Sequence, residues 1–532
     1  MNASMIFYLW EKIYLERGDK YMWNEKIEKN EKVEVLPFVP NRNYRNDALN
    51  TDFYEFRMAN ALFLLGMKDV NLVFDCFFRR NPGPKNKETG YSISAGQEQL
   101  TEFLLNYHFD EVACEYLLAK GMDPEFVKYL STYKWKGTMY AMPEGTVAYP
   151  NEPMVRIKCD AIGAILIETY LLQTMNFNSL ITTKATRIVR VADDAGVMEF
   201  GGRRAQGASA SLYGARAAVL AGCTGTANCL AEIVFGSDVK ALGTVAHSWV
   251  ELFPSEYESF KAFADVYPEE VSLLIDTYNI MESGAVNTIK VDDYLIEKYP
   301  NDPNKRVKSV RIDSGDLAYT SKKLRKMFDA AGKSYIKIVA SNSLNEDTIR
   351  SINEEQNAPI DSFGVGENLI TSSDCPVFGG VYKLVAVEEP TGWEPRMKCS
   401  DTLAKAIIPG YKTVYRLYND EGHGYLDLIA MHDEEIEIGK PIKVYTTDIN
   451  ATKKEFTIVP KKVEPLLVPY IVDGELVRKL PTIQEIREYI KDQLENKVWV
   501  EELRASYPHK HYVDMTEKVY EVRKNMYEKL HG

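Results

Sequence analysis

The chain has 532 residues, 45% of them apolar and 27% charged, with a formal net charge of −13. An acidic balance of this size excludes a general binder of nucleic acid or of anionic membrane surface, although Arg, Lys and backbone N–H groups can still converge on a small anion. No apolar run approaches the length of a membrane span. The seven cysteines, odd in number and without a CxxC pair, suit reduced thiols in a cytoplasmic protein better than a disulfide frame or a zinc site.

Residues 1–45 are charged and aromatic and read as an N-terminal extension. The opening MNASMIFYLWEK lacks the basic start and small-residue cleavage site of a signal peptide. Residues 46–150 read as an α+β domain. In it NTDFYEFRMANALFLLGM carries apolar residues at helical spacing behind a cap at Thr51 or Asp52. VNLVFDCFFRR is a strand, NPGPKNKETG a turn-rich loop, and SAGQEQLTEFLLNY a second helix.

Over 151–385 the pattern becomes rhythmic. The runs VMEFGG, VKALGTVAHSW, VSLLIDTYN, VKSVRIDSGD, YIKIVASNS and IDSFGVGENL are each followed by a polar or glycine-rich turn, at a spacing of roughly 25 to 40 residues, the length of a βα unit. Their near-continuous apolar character fits strands buried on both faces of a parallel sheet. The runs end at Glu199, His247, Asp276, Asp313, Ser341 and Gly366. In a parallel barrel such ends share one rim, and that rim is where an active site is built. The predicted fold class is therefore α/β: an irregular parallel (β/α) barrel. Residues 386–532 form a C-terminal region, with antiparallel runs first and two amphipathic helices last, that packs on the N-terminal domain and the barrel.

Four constellations carry chemistry. In VRIDSGDLAY, Arg311 and Asp313 are two apart at a strand end and point to one side. Arg311 can fork onto a carboxylate or phosphate, and Asp313 can accept from sugar hydroxyls or help position magnesium; a structural ion pair between them is the competing reading. In GVGENLITSSD, Gly364 and Gly366 precede a helix and allow backbone approach to a phosphate, with Thr371 close behind. In GTVAHSWVELF, His247 and Ser248 end one run, and Asp276 ends the next. A carboxylate beside the imidazole fixes its tautomer and leaves the other ring nitrogen nucleophilic. The stretch from Ser179 to Asn228 carries Lys184, Arg187, Arg190, Arg203, Arg204 and Arg216. Of these, Arg190 and Arg216 are expected on a solvated helix face. The two histidines of HKHY, His509 and His511, are expected at the surface, without a metal.

These segments resemble the nicotinate phosphoribosyltransferase family of type II phosphoribosyltransferases. The matching stretches, in order, include NTDFYEFRMANALF, FDCFFRRNP, SAGQEQ, SLITTKATRIVR, MEFGGRRAQG, GCTGTAN, GTVAHSWV, IDTYN, GAVNTIKV, VRIDSGDLAY, IVASNSL, FGVGENLITS, GGVYKLV and PRMKCS. The resemblance implies an irregular barrel with a second α+β domain built from the N-terminal segment and C-terminal elements. It also implies a homodimer whose active sites are shared, with Tyr54 reaching over the base bound by the neighbouring subunit. His247 matches a histidine that ATP phosphorylates. Arg311 and Asp313 match site residues, and Arg187 matches the arginine of a motif in which Thr182 replaces the usual Ala. Together with the rim positions, the resemblance marks Tyr54, Arg187, Glu199, Gly201, Arg203, Ser248, Ser341, Asn342, Gly364, Gly366 and Thr371 as substrate-binding, and His247, Asp276, Asp313 and Arg311 as catalytic. The implied reaction joins nicotinate to phosphoribosyl pyrophosphate with ATP as co-substrate and Mg2+ carried mainly by the substrates. Three rivals are a nicotinamide-specific cousin, a barrel lyase using Lys184 as a Schiff base, and a nucleotide-binding regulatory protein without catalysis.

Overall fold

A computed structural model describes residues 44–84, 87, 89–398, 407–447 and 454–531. The expected extension lies outside the described residues up to position 43, as does Cys399 in PRMKCS. Three large sheets organise the chain.

The first sheet has seven strands and belongs to the N-terminal domain. An inner strand, Asn71–Phe77, is buried along nearly all its length, so both faces and both edges need cover. One edge pairs antiparallel with Val155–Asp160 and the other with Val381–Glu389. The strand Val381–Glu389 spans the expected boundary at 385, and Gly392–Pro395, Val468–Val472 and Glu475–Leu476 join the same sheet from late in the chain. The helix Phe53–Leu64 begins at Asp52, whose backbone is extended and whose side chain makes no capping bond. It buries Glu55, Phe56 and Ala59 and leaves Phe53, Tyr54 and Met58 exposed.

The second sheet is all parallel and curls into a half-barrel. Its strand order is Gly225–Thr226, Gly196–Glu199, Ser362–Val365, Lys337–Ser341, Val307–Ile312 and Val271–Leu274. Five of the six predicted runs are strands of this sheet. The run ending in His247 is not: its one bridge to the sheet among the described residues is the parallel bridge from Ala241 to Thr226, and His247 instead opens the helix His247–Glu251. The sixth strand is the two-residue Gly225–Thr226, too short to show a hydrophobic pattern.

The third sheet lies in the C-terminal region, in the order Glu455–Ile458, Ile442–Thr446, Val513–Thr516, Gly424–Met431, Lys412–Tyr418 and Lys462–Pro465. The helices Ile483–Asn496 and Glu517–His531 follow the predicted amphipathic stretches.

The barrel and the N-terminal domain are joined by the 25-residue helix Glu168–Ala192. Its buried residues include hydroxyls as well as large apolar groups: Thr183 Oγ1 accepts the Ile93 N–H at 2.8 Å and Ser179 Oγ accepts the Ala95 N–H at 3.1 Å. A second join corrects the sequence reading. Arg216 is buried, not solvated, and donates to both oxygens of the buried Glu144 at 2.8 and 3.2 Å and to Glu98. A charge this deep is stable only when its partners are fixed around it. Arg190 is exposed as predicted.

His511 is a second correction. It is buried, stacked 3.8 Å from the Tyr149 ring, with Nδ1 2.9 Å from Glu502 and Nε2 3.5 Å from Asp427. Burial alone would lower this imidazole, but Asp427 and Glu502 hold it above its ordinary value. Asp427 also receives both arms of Arg416, at 2.8 and 2.6 Å. Asp427 comes from a distant part of the chain and Glu502 from nine residues upstream, so the HKHY spacing could not reveal them.

Candidate active site

The parallel strands deliver polar groups to one rim. Glu199 and Ser341 are the last residues of their strands, Asp313 and Gly366 follow theirs directly, and Asp276 lies just past Leu274. Parallel register puts Arg311 beside Val339, and Glu199 beside Val365. These side chains therefore converge because the sheet is in register, with no special loop needed.

Arg311 is the hub. Its Nη1 donates to Ser341 Oγ at 3.4 Å and lies 3.8 Å from Asp313. Its Nη2 donates to the Val245 carbonyl at 3.2 Å, while Nε is buried and has no partner. Burial pulls this guanidinium below its ordinary value, Asp313 and Asp276 offset part of that, and Arg203 adds to the depression. A buried cation with one idle donor and a second arginine nearby is a receiver for an anion. The loose Arg311–Asp313 contact does not fill that role by itself, which disfavours the purely structural ion pair.

Asp313 accepts from Ser341 Oγ at 2.5 Å. Asp276 does not sit against the imidazole, contrary to the sequence reading. Its Oδ2 accepts the Asp313 N–H at 2.9 Å and the Ser314 hydroxyl at 2.6 Å, while Oδ1 is buried without a partner. Asp276 thus braces the Asp-Ser-Gly turn. The His247 ring is met instead by Thr277, whose Oγ1 lies 3.1 Å from Nδ1.

Glu199 is fully buried and accepts from the Thr226 hydroxyl at 2.6 Å and from the Gly201 N–H. Burial raises its carboxyl above the ordinary range, and those two donors pull it partly back. It anchors the turn that carries the exposed Arg203 and Arg204. Glycine at 364 and 201 is required by packing: a Cβ at Gly364 would meet the Phe200 ring at 2.5 Å, and one at Gly201 would meet Ile370 at 2.6 Å and the Gly366 carbonyl at 2.7 Å. Thr371 Oγ1 donates to the Glu367 carbonyl at 2.7 Å. Asn342 and Ser343 turn off their strand with φ of 94° and 51°, a left-handed pair that costs free energy for residues with a Cβ and clusters at functional rims. Ser248 is exposed on the His247 helix.

Two predicted residues lie in tighter company. Lys184 is buried, with Nζ 2.7 Å from Glu346 and 2.8 Å from Asp374. An amine held by two carboxylates is charged and non-nucleophilic, so the Schiff-base alternative is set aside. Arg187 shares both acids, at 3.2 Å from Glu346 and 3.9 Å from Asp374, and donates to the Pro82 carbonyl at 2.5 Å. The two acids face its charge, while Nη2 is buried without a hydrogen-bond partner. Tyr54 is exposed; burial first, then Glu168, Glu55 and Asp52, push its phenol up to about 12. Sequence reasoning missed Thr277, Phe200, Thr226 and Val245. Each lies inside a stretch already singled out, MEFGGRRAQG, GCTGTAN, GTVAHSWV or IDTYN, and Thr277 and Phe200 directly adjoin the named Asp276 and Glu199.

Among the described residues, no group of three or more His, Cys, Asp or Glu side chains is arranged to hold a metal ion, and no helix is long and apolar enough to cross a membrane. Of the cysteines described, all six are free thiols.

Fold and rim together define an α/β protein with a parallel half-barrel whose strand C-termini carry a cluster of polar and charged side chains. Family models agree on which one. The nicotinate phosphoribosyltransferase N-terminal domain matches residues 49–176, the nicotinate phosphoribosyltransferase family 196–388, and the C-terminal domain 411–523. The chain belongs to the nicotinate phosphoribosyltransferase family. It is 36% identical to the nicotinate phosphoribosyltransferase of Bacillus subtilis over 494 residues, covering 91% of this chain and 97% of that one. It is 32% identical to that of Dictyostelium discoideum over 536 residues, covering 90% and 88%. The human nicotinic acid phosphoribosyltransferase crystal structure superposes with a TM-score of 0.77 at 26% identity, over 90% of this chain and 99% of that one.

Proposed function

We propose that this enzyme makes nicotinate mononucleotide from nicotinate and phosphoribosyl pyrophosphate, coupled to ATP through a transient phosphohistidine at His247, as the first step of NAD salvage from nicotinate. The observation that carries it is the convergence of Arg311, Asp313, Ser341, Asp276 and the His247 turn on one rim.

In phosphoribosyl transfer the pyridine nitrogen attacks C1′, and the C1′–O bond to pyrophosphate breaks with its electron pair leaving on oxygen. The chain's part is to align the two reactants and to receive negative charge. Arg311, with its idle Nε, takes the anionic group nearest the base, and Arg203 lies beside it. Arg187 is a weaker receiver, because Glu346 and Asp374 compete for it. Asp313, held by Ser341, faces the ribose hydroxyls.

The reaction class calls for magnesium. The donor set fits an ion held mostly by substrate phosphates: Asp276 Oδ1 is buried without a partner, and the Asp313 backbone is hydrogen-bonded to the other oxygen of the same carboxylate. When bound, the ion would neutralise the leaving pyrophosphate.

In the ATP half-reaction a His247 ring nitrogen takes the γ-phosphoryl group and ADP leaves; after transfer, water takes the phosphoryl group and phosphate departs. The exposed face at Phe53, Tyr54 and Met58 supports a homodimer in which Tyr54 covers the partner's base. The free thiols support a cytoplasmic setting.

The test is a product assay with phosphoribosyl pyrophosphate and nicotinate, nicotinamide or quinolinate, with and without ATP, on the wild type and His247→Ala. Nicotinate should be the preferred base. His247→Ala should take no acid-labile label from γ-labelled ATP, yet keep a slow transfer that ATP no longer stimulates. Equal use of nicotinamide, or normal labelling of the variant, would overturn the reading.

A further inference from the structure

The turn after the strand Val271–Leu274 presents two polar side chains in succession, and they divide the work differently from their order in sequence. Asp276 faces the neighbouring turn, engaged with the Asp313 N–H and the Ser314 hydroxyl. Thr277 faces the helix His247–Glu251, and its Oγ1 is 3.1 Å from His247 Nδ1. Both Thr277 and His247 are half-buried, so the contact is accessible to a nucleotide entering from the rim.

We propose that Thr277 is the positioning residue of His247: its hydroxyl fixes the ring plane in which the imidazole meets the γ-phosphate of ATP. This rests on the phosphohistidine reading above and adds the residue through which that reading operates. Three observations carry it. The imidazole leads a five-residue helix and reaches the sheet only by way of a single bridge and the Val245 carbonyl held by Arg311, so its backbone alone orients the ring weakly. The carboxylate next to Thr277 uses Oδ2 for the Asp313–Ser314 turn and makes no hydrogen bond to the imidazole. A hydroxyl can donate to Nδ1 or accept from it, so it steadies the ring through a change in its protonation. Thr277 touches no reacting atom and acts only through His247.

The experiment compares Thr277→Val, which keeps the shape and removes the hydroxyl, with Thr277→Ser, which keeps the hydroxyl. Single-turnover labelling from γ-labelled ATP and ATP-independent transfer are measured on the full chain. Thr277→Val should label about ten- to a hundredfold more slowly, the scale expected when a reacting group loses its orientation. Thr277→Ser should label at close to the wild-type rate. In both variants the KM for nicotinate and for phosphoribosyl pyrophosphate without ATP should stay at the wild-type value. Normal labelling of Thr277→Val overturns the assignment. So does loss of ATP-independent transfer in Thr277→Val, which would mark a structural role. A wild type that takes no label at all removes the phosphohistidine reading itself, and the assignment with it; a labelled wild type with a normally labelled Thr277→Val removes the assignment alone.

Discussion

Arg311 donates from Nη2 to the main-chain carbonyl of Val245, at 3.2 Å, two residues before His247. The strand that carries Arg311 therefore also holds the loop that presents the histidine. On the proposed reading, an anion arriving at Arg311 would act on a group already braced against that loop, so that substrate binding and histidine placement would share one residue.

Arg311→Lys tests that sharing. Lysine keeps the charge but loses the planar fork, and cannot reach Ser341, Val245 and an anion together. We expect kcat/KM for transfer to fall by about a hundredfold or more, about 3 kcal/mol, from weaker charge-assisted contacts. Labelling of His247 from ATP should slow as well, because the Val245 carbonyl loses its donor. Steady-state kinetics and label uptake measured on one preparation decide it; transfer lost with labelling untouched would show that the Val245 contact is incidental.

The exposed face of the helix Phe53–Leu64 leads to a prediction about assembly. Phe53, Tyr54 and Met58 are exposed on it, as are Leu64 at its last position and Leu65 and Met67 just beyond. On the proposed dimer these apolar side chains form the contact surface. Met58→Glu should convert a dimer into a monomer by light scattering, and the monomer should lose transfer activity because Tyr54 no longer covers a partner's site. A fully active monomer would rule out shared sites.

Much of the site was legible because strand ends in a parallel sheet announce themselves: a short apolar run and then a polar residue, as at Glu199, Asp313 and Ser341. The run before His247 broke the rule. VKALGTVAHSW has the composition of a strand, yet only Ala241 bridges to the sheet, because the edge position is taken by Gly225–Thr226, which carries no pattern of its own. The Asp276–His247 pairing was inferred from adjacent strand ends, and failed for the same reason: a histidine on a helix approaches from a different direction and meets Thr277. Arg216 and His511 were misread because burial of a charge depends on partners elsewhere in the chain. Glu144 and Glu98 serve one, Asp427 and Glu502 the other, and helical or tail spacing does not encode them.

Arg216 offers a measure of that hidden charge. Its side chain is almost wholly buried between Glu144 and Glu98, linking the helix Ala208–Leu220 to the N-terminal domain. Arg216→Met keeps most of the volume and strands Glu144 in the interior, which should cost about 3–5 kcal/mol of unfolding free energy. Removing the stranded charge as well, in Arg216→Met with Glu144→Gln, should recover part of the loss. Denaturant unfolding of the single and double variants checks it, and a single variant as stable as the wild type would show that the ion pair contributes no net stability.

Glu55 makes stability depend on pH in a direction that can be stated in advance. Its carboxyl is buried under the helix that presents Tyr54; it accepts from Thr169 Oγ1 at 2.5 Å and from the Thr169 N–H at 3.2 Å, and is bonded by the Thr51 hydroxyl. Burial pushes it from 4.5 up to about 7, the hydroxyls of Thr169 and Thr51 pull the other way, and Glu168 adds to the rise. The folded protein therefore keeps a proton that the unfolded chain has released, and stability falls as pH rises from 4.5 to about 7, then levels off. Glu55→Gln removes this titration while keeping the shape and the acceptor for Thr169. Glu168, itself raised by burial, remains in both proteins, so the difference between them isolates Glu55. Thermal midpoints taken across that pH range should show the variant gaining on the wild type until the carboxyl is fully ionised, and holding its gain above that. A difference that stays constant with pH would mean that Glu55 titrates alike in the folded and unfolded chain, and that its burial under Tyr54 carries no charge penalty.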